Sequence, residues 1–413
     1  MPKVLRVFLF VTVLLFMANL AAEVYCRHTP TLNHMPYTHV TLDPSDDYAD
    51  FRMFLLRFHH FHERDFFSPK WGSDYLYPAT VGMLYEPFFA FHLPFPGQRF
   101  MAVVALAWLL LSLWLRRVLI ARGLSNQSAT LFAAIAGLGS YPLYFEFNRA
   151  NVEIFIWMFA GLGVIAFVKD RPWAAATCFG IAGACKIYPF VYIALLISRK
   201  QYKQAAWAIV VGAIFTVFSL WALTGSITVS RLGTAAGLEE FRQVYVLHKR
   251  FGEIGLDHSI FGMYKRFAFH LPPPEQLAHL LSIYLAVAAI VACIAYFARA
   301  IRMPMINQVI FLTIACIVLP PTSYDYTLLH LYTPFVLMLL LVVDFSVRRA
   351  PLPPGTWAVL ICFMLLLAPL NEVIVHGERI AGQLKCIILL VLAALALRYR
   401  FVSGAATLPV TAG

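Results

Sequence analysis

Long apolar runs, each closed by a short polar or basic connection, recur along the chain, and their length is more informative than their periodicity. A helix needs about 20 apolar residues to cross ~30 Å of hydrocarbon. The runs at 4–24, 99–119, 127–147, 151–168, 172–185, 188–198, 204–224, 275–298, 305–321, 327–345, 355–371 and 381–399 predict twelve transmembrane helices. Threaded alternately with both termini inside, they leave basic residues in every cytoplasmic connection. These are Lys3 and Arg6; Arg116, Arg117 and Arg122; Lys169 and Arg171; Arg199, Lys200 and Lys203; Arg299 and Arg302; Arg348 and Arg349; and Arg398 and Arg400. Excess Lys and Arg in short cytoplasmic loops is the signal that orients helical membrane proteins.

That threading requires the apolar stretch 79–94 not to cross, because counting it would put the Arg116 and Arg199 clusters on opposite sides. Glu86, Pro87, His92 and Pro94 within it suit a juxtamembrane or re-entrant helix. Residues 172–198 are too short for two full spans yet carry basic clusters at both ends, which predicts a hairpin of short helices with Lys186-Ile187-Tyr188-Pro189 at its outer apex. Two loops, 25–98 and 225–274, are long and lie outside. In the first, Phe51, Phe54, Leu55 and Phe58 recur at i, i+3, i+4 and i+7, the stripe of a helix lying on the membrane surface. Asp50 opens that helix, where a carboxylate favours the positive end of the dipole. The first run, behind Lys3 and Arg6, has the outline of a signal peptide but lacks a small-x-small cleavage site, so it is taken as an uncleaved span.

Composition agrees with the pattern: 61% of the 413 residues are hydrophobic and 13% charged, too apolar for a soluble domain of this size. The ten-residue alternation of an outer-membrane barrel is missing. The fold class is therefore all-α, polytopic, in an inner or plasma membrane. The net charge of +11 is spread over short loops instead of one basic domain, which argues for orientation and against nucleic acid. Of seven cysteines only Cys26 falls outside an apolar run, and there is no Cys-x-x-Cys spacing, so neither a disulfide framework nor a zinc site is expected.

Candidate chemistry concentrates on the outer side. The first loop holds Asp43, Asp46, Asp47, Asp50, Glu63, Asp65 and Asp74, any of which could serve as a general base or simply face solvent. His59-His60-Phe61-His62-Glu63 lacks the His-Glu-x-x-His order of a metalloprotease helix and reads as an interfacial polar face; no metal is called, although Asp46-Asp47 could help hold a divalent ion. Lys186 within 180–190 is costly unless it has a partner or an aqueous cavity. Asn148-Arg149-Ala150-Asn151, Asp257-His258-Ser259, Arg266 and Tyr324-Asp325-Tyr326 are weak singly, since polar residues cap helices routinely, but all fall on one side.

The order of these features resembles the GT-C superfamily of membrane glycosyltransferases, and more narrowly glycosyltransferase family 87, over most of the chain. The resemblance is carried by Ala49-Asp50-Phe51, by Asp74-Tyr75-Leu76-Tyr77-Pro78 ahead of Glu86-Pro87, and by Asn148-Arg149-Ala150-Asn151-Val152. It continues through 180–189, ending Cys185-Lys186-Ile187-Tyr188-Pro189, then His258-Ser259-Ile260 and Pro321-Thr322-Ser323-Tyr324-Asp325. The chain departs from the family where Tyr77-Pro78-Ala79 stands for Tyr-Pro-Pro, and where Tyr326-Thr327 stands for a His-His pair, with His330 further on.

The resemblance implies a GT-C-like fold in one integral-membrane domain, with a module at 1–224 and further helices at 225–413. It also implies a polyprenyl-phosphate sugar donor (the sugar being mannose in the best-known members), a lipid or glycan acceptor, and no cofactor. The family's proposed base, the aspartate opening the first-loop helix, maps to Asp50. Substrate contacts are expected from Lys186, Arg149, Asn148, Asn151, Asp74, Tyr75, Tyr77, Tyr188, His258, Arg266, Tyr324, Asp325 and His330. Two other functions fit a polytopic chain with long outer loops. A transporter or flippase should show internal repeats or ionisable groups near mid-membrane. A cell-envelope polysaccharide polymerase or ligase would act without a monosaccharide-phosphate donor.

Overall fold

The computed structural model describes residues 3–28, 48–52, 57–71, 75–89, 95–138, 141–247, 254–268, 272–368, 374–375 and 378–402. Among them the regular structure is helical apart from a two-residue antiparallel ladder in which β1 (Ile374–Val375) pairs with β2 (Glu378–Arg379). The long α1 (Lys3–His28) leads to a single turn, α2 (Ala49–Arg52). After α3 (Ala79–Phe89) come α4 (Pro96–Ala121), α5 (Asn126–Leu138) and α6 (Tyr141–Arg149). Next are α7 (Glu153–Val168), α8 (Pro172–Cys185), α9 (Ile193–Ser198) and α10 (Tyr202–Thr224). The second half carries α11 (Ile227–Phe241), α12 (Ile260–Phe267), α13 (Pro274–Ala298), α14 (Met305–Val318), α15 (Tyr332–Val347), α16 (Thr356–Leu367) and α17 (Ala381–Arg398).

The chain is a multi-pass membrane protein. Among the described residues six helices are long and apolar enough to span a membrane, rather than the expected twelve. Eleven of the twelve apolar runs coincide with apolar helices, but five of those helices are short. The 16 residues of α7 and the 14 of α8 rise only ~24 and ~21 Å. The run at 127–147 falls on α5 and α6, with residues 139–140 outside the described residues, and the last residues of α6 carry the polar Glu146, Asn148 and Arg149.

Some of the short helices belong to the interior, where neighbouring helices rather than lipid surround them, while α16 turns Trp357, Ile361 and Leu365 outward. In α14 every residue from Ile306 to Val318 is buried, whereas α13 turns Ile283, Val287, Ile290, Val291 and Ile294 outward. Close backbone approach fixes the α8–α10 crossing. A Cβ on Gly180 would lie 2.5 Å from the Ala208 carbonyl oxygen, so only glycine fits.

The stretch 79–94 holds α3, whose 11 residues contain Pro87 and pack on α10, with 90–94 outside the described residues. The first-loop stripe differs from expectation. Phe54 and Leu55 lie outside the described residues, but Phe51 and Phe58 face the protein instead of lipid. Both rings stack on Phe89, at centroid separations of 4.7 and 4.5 Å, and Phe51 meets Tyr85 edge-on at 5.3 Å. Fully burying a Phe contributes about 1.5–3 kcal/mol, enough to pin the turn that carries Asp50.

Candidate active site

The predicted hairpin apex forms as expected. Helix α8 stops at Cys185, Lys186 is extended, and a 3-10 turn over Tyr188–Tyr192 with Pro189 near its start leads into α9. Pro189 has no amide to donate to the Cys185 carbonyl and its ring would clash with that carbonyl in a continued helix, which explains the break. A second break separates α6 from α7. Ala150 takes φ +51°, a left-handed conformation uncommon for a non-glycine, and the Asn151 side-chain oxygen then accepts from the Glu153 amide at 3.0 Å to begin α7.

These two breaks and the Asp50 turn meet in one polar network. Arg149 Nη2 donates to Asp50 Oδ1 at 2.7 Å, and Asn151 Nδ2 donates to Asp50 Oδ2 at 2.7 Å and lies 3.3 Å from the Tyr77 hydroxyl. The Tyr48 amide donates to the Asn148 carbonyl at 2.6 Å, tying the α2 turn to α6. One step deeper, Lys186 Nζ donates to Glu153 Oε2 at 2.6 Å, while His330 Nε2 at 2.7 Å and the Tyr188 hydroxyl both reach Oε1. The Lys186 ammonium also stands 5.0 Å from the Tyr326 ring centroid. Tyr77, Arg149, Lys186, Tyr188 and Tyr326 keep part of their surface accessible, while Asp50 and Glu153 are buried among them.

A second network lies along the same 3-10 segment, Asp325–Leu331, whose other end supplies His330. Asp325 Oδ1 accepts from Lys385 Nζ at 2.6 Å and Oδ2 from the Tyr141 hydroxyl at 2.6 Å; His258 Nδ1 is 3.7 Å away. His258 Nε2 pairs with Thr327 Oγ1 at 2.9 Å. Asp257 Oδ1 accepts from the amides of Ser259 and Ser323 at 2.9 and 3.0 Å. Burial pushes the Asp257 carboxyl up to about 6, only partly offset by Lys265 and those hydrogen bonds. Burial pulls the His258 imidazole down to about 3 against the attraction of Asp325, so this histidine is neutral near pH 7.

A family model for glycosyltransferase family 87 matches residues 75–320. The chain belongs to glycosyltransferase family 87. No curated protein and no solved structure matches it at a significant level.

In this family 87 glycosyltransferase, the residues singled out from sequence fall into three groups. Asp50, Asn148, Arg149, Asn151, Tyr77, Lys186, Tyr188 and His330 come together in the first network. Asp325 and His258 form the second. Tyr75 is buried beneath, its hydroxyl donating to the Pro78 carbonyl at 2.9 Å, and Tyr324 is half-buried against Tyr326, 6.1 Å between centroids. Arg266 lies half-buried in the last turn of α12. Asp74 lies outside the described residues.

Lys186 was singled out as a charge in need of a partner, and Glu153 is that partner. Glu153 and Lys385 were missed, although each is an ionisable residue inside a predicted span and so carried the same signal as Lys186. Among the described residues, His60, Glu63 and Asp65 could share an ion, with one ligand atom from each within 4.8 Å of the others. They are half-exposed or exposed, and His60 stacks on Trp71 at 3.6 Å.

Proposed function

We propose that this glycosyltransferase moves a sugar from a polyprenyl-phosphate donor to a lipid or glycan acceptor with inversion, and that Asp50 is the base. As the acceptor hydroxyl oxygen attacks the sugar C1, Asp50 takes its proton. The C1–O bond to phosphate breaks, and the electron pair leaves with the phosphate. Phosphate needs no general acid to depart, and cations stabilise its growing charge. The proposed reaction uses no metal or other cofactor.

The observation that carries this reading is the setting of Asp50. Each carboxylate oxygen is oriented by one donor, Arg149 or Asn151, which leaves acceptor capacity for a substrate hydroxyl. Around it, Tyr77, Tyr188 and Tyr326 are half-buried aromatic neighbours, and Arg149 and Lys186 supply cations that remain 31% and 17% exposed. Arg266 remains a third candidate cation.

Sidedness follows the charge pattern. Asp50, Asn151, Lys186 and Asp325 sit at the helix ends opposite those bearing Arg116, Lys169, Arg199 and Arg348, so the reaction is assigned to the outer face with the termini inside. Mannose is the proposed sugar.

The test uses purified protein in lipid nanodiscs with a panel of polyprenyl-phosphate sugars and membrane lipids. Asp50→Asn should lower turnover by ~10²–10⁴ while donor binding persists. Turnover at the parent rate by that variant rules out Asp50 as base. Transfer by the parent only from a polyprenyl-diphosphate oligosaccharide replaces the donor.

A further inference from the structure

Tyr326 occupies a place in the first network that its sequence position, one residue after Asp325, does not reveal. Its ring stacks beside Phe145, 6.3 Å between centroids at 24°, and tilts against Tyr324. The Lys186 ammonium stands over it at 5.0 Å. Its hydroxyl has no hydrogen-bond partner among the described residues, and the residue is half-buried rather than enclosed. The neighbouring phenols are committed differently: Tyr188 donates to Glu153, Tyr77 lies beside Asn151, and Tyr141 donates to Asp325.

An ammonium over the face of a phenol is drawn to the negative ring quadrupole and withdraws electron density from it, which makes the O–H a stronger donor. Lys186 has three N–H donors, one of them taken by Glu153. A polarised O–H and an ammonium over the same ring, both on side chains that stay partly exposed, suit an oxygen that carries negative charge. Asp50 pairs with Arg149, so its charge is compensated apart from Lys186.

We infer that the Tyr326 hydroxyl, with Lys186 behind its ring, is a binding donor for a phosphate oxygen of the lipid-linked substrate. This rests on the reading of the Asp50 network as a site for a polyprenyl-phosphate sugar, and it assigns the phosphate to the Lys186–Tyr326 side of that network. The interaction strengthens as the bridging phosphate becomes a free monoester with more charge, so it favours the leaving group over the intact donor.

The experiment measures binding of a prenyl monophosphate and of the prenyl alcohol of the same chain length to the full-length protein in nanodiscs. Tyr326→Phe keeps the ring and its packing, so the unfolding temperature should not move. The variant should bind the monophosphate about tenfold more weakly, the scale of one hydrogen bond to a charged group, and the alcohol as tightly as the parent does. Tyr326→Ala, which also loses the ring under Lys186, should lose at least as much. Unchanged monophosphate affinity in Tyr326→Phe, or an equal loss for the alcohol, overturns the inference. If the parent binds the monophosphate through Tyr326 yet transfers no sugar, the phosphate site stands and the transfer reading falls. If the parent transfers sugar and Tyr326→Phe matches it in binding and turnover, only the phosphate site falls.

Discussion

Two ion-pair networks share one 3-10 segment and differ in what they leave open. Around Asp50 and Glu153 the cations Arg149 and Lys186 remain 31% and 17% exposed, whereas around Asp325 the partner Lys385 is 4% exposed and His258 is fully buried. Both contain a carboxylate, a cation, a histidine and a tyrosine. The difference teaches that residue types do not separate a reaction site from a brace; accessibility does. A closed network can only hold helices together, here α6, the 3-10 segment, α17 and the start of α12. The half-open one can also meet a substrate.

The largest expected effect is the loss of turnover in Asp50→Asn, with no comparable loss of stability, because Arg149 stays near water when its partner becomes neutral. Glu153→Gln should damage both properties. It leaves Lys186 short of its counter-charge in the interior, and breaking such a pair costs about 3–5 kcal/mol. Chemical unfolding together with turnover measures both. Lys385→Met should lower stability on the same scale while turnover per folded molecule stays within about threefold. Adding Asp325→Asn should recover part of the stability, since two neutral groups no longer strand a charge. A Lys385→Met protein that is stable but inactive would erase the distinction between the networks.

Acid sharpens the comparison further. The His258 imidazole, lowered to about 3 from 6.5, takes up its proton more readily in the unfolded chain, so its contribution is lost as pH falls from 6.5 toward 3. Asp257, raised to about 6 from 3.8, binds its proton more readily in the folded chain and gains stability as pH falls through 6. The two slopes oppose each other between about pH 4 and 6. Asp257→Asn should therefore make unfolding temperature fall with acidification across that window, and His258→Gln should make it rise. Equal profiles for parent and both variants would mean that these groups do not titrate with folding. The smallest effect is expected at the far helix ends, where Asp170, 82% exposed, pairs with Arg199 at 3.4 Å; Asp170→Asn should leave both turnover and unfolding temperature unchanged.

Most helices were legible because burial in lipid demands apolar length, and eleven of the twelve runs are apolar helices. The number of crossings was less legible. Apolar length does not distinguish a helix facing lipid from a short one inside a bundle, and α7, α8 and α14 are of the second kind. The hydrophobicity of the run at 127–147 averages over the polar end of α6. Within the candidate site, Asp50, Asn151 and Lys186 stand out in the sequence through local order and family resemblance. Glu153 does not, because its importance lies in Lys186, Tyr188 and His330, which are 33, 35 and 177 residues away.

What the sequence determined alone is a membrane-embedded helical chain, its distribution of basic residues at alternate ends, and a set of polar residues gathered on one side. Those follow from the solvent, since hydrocarbon rejects charge and unpaired backbone wherever they occur in the chain. The tertiary structure decided which polar residues pair and which ion pair stays half-open. Pairing depends on distances of a few ångströms between segments far apart in sequence, and no local pattern of residues encodes those distances.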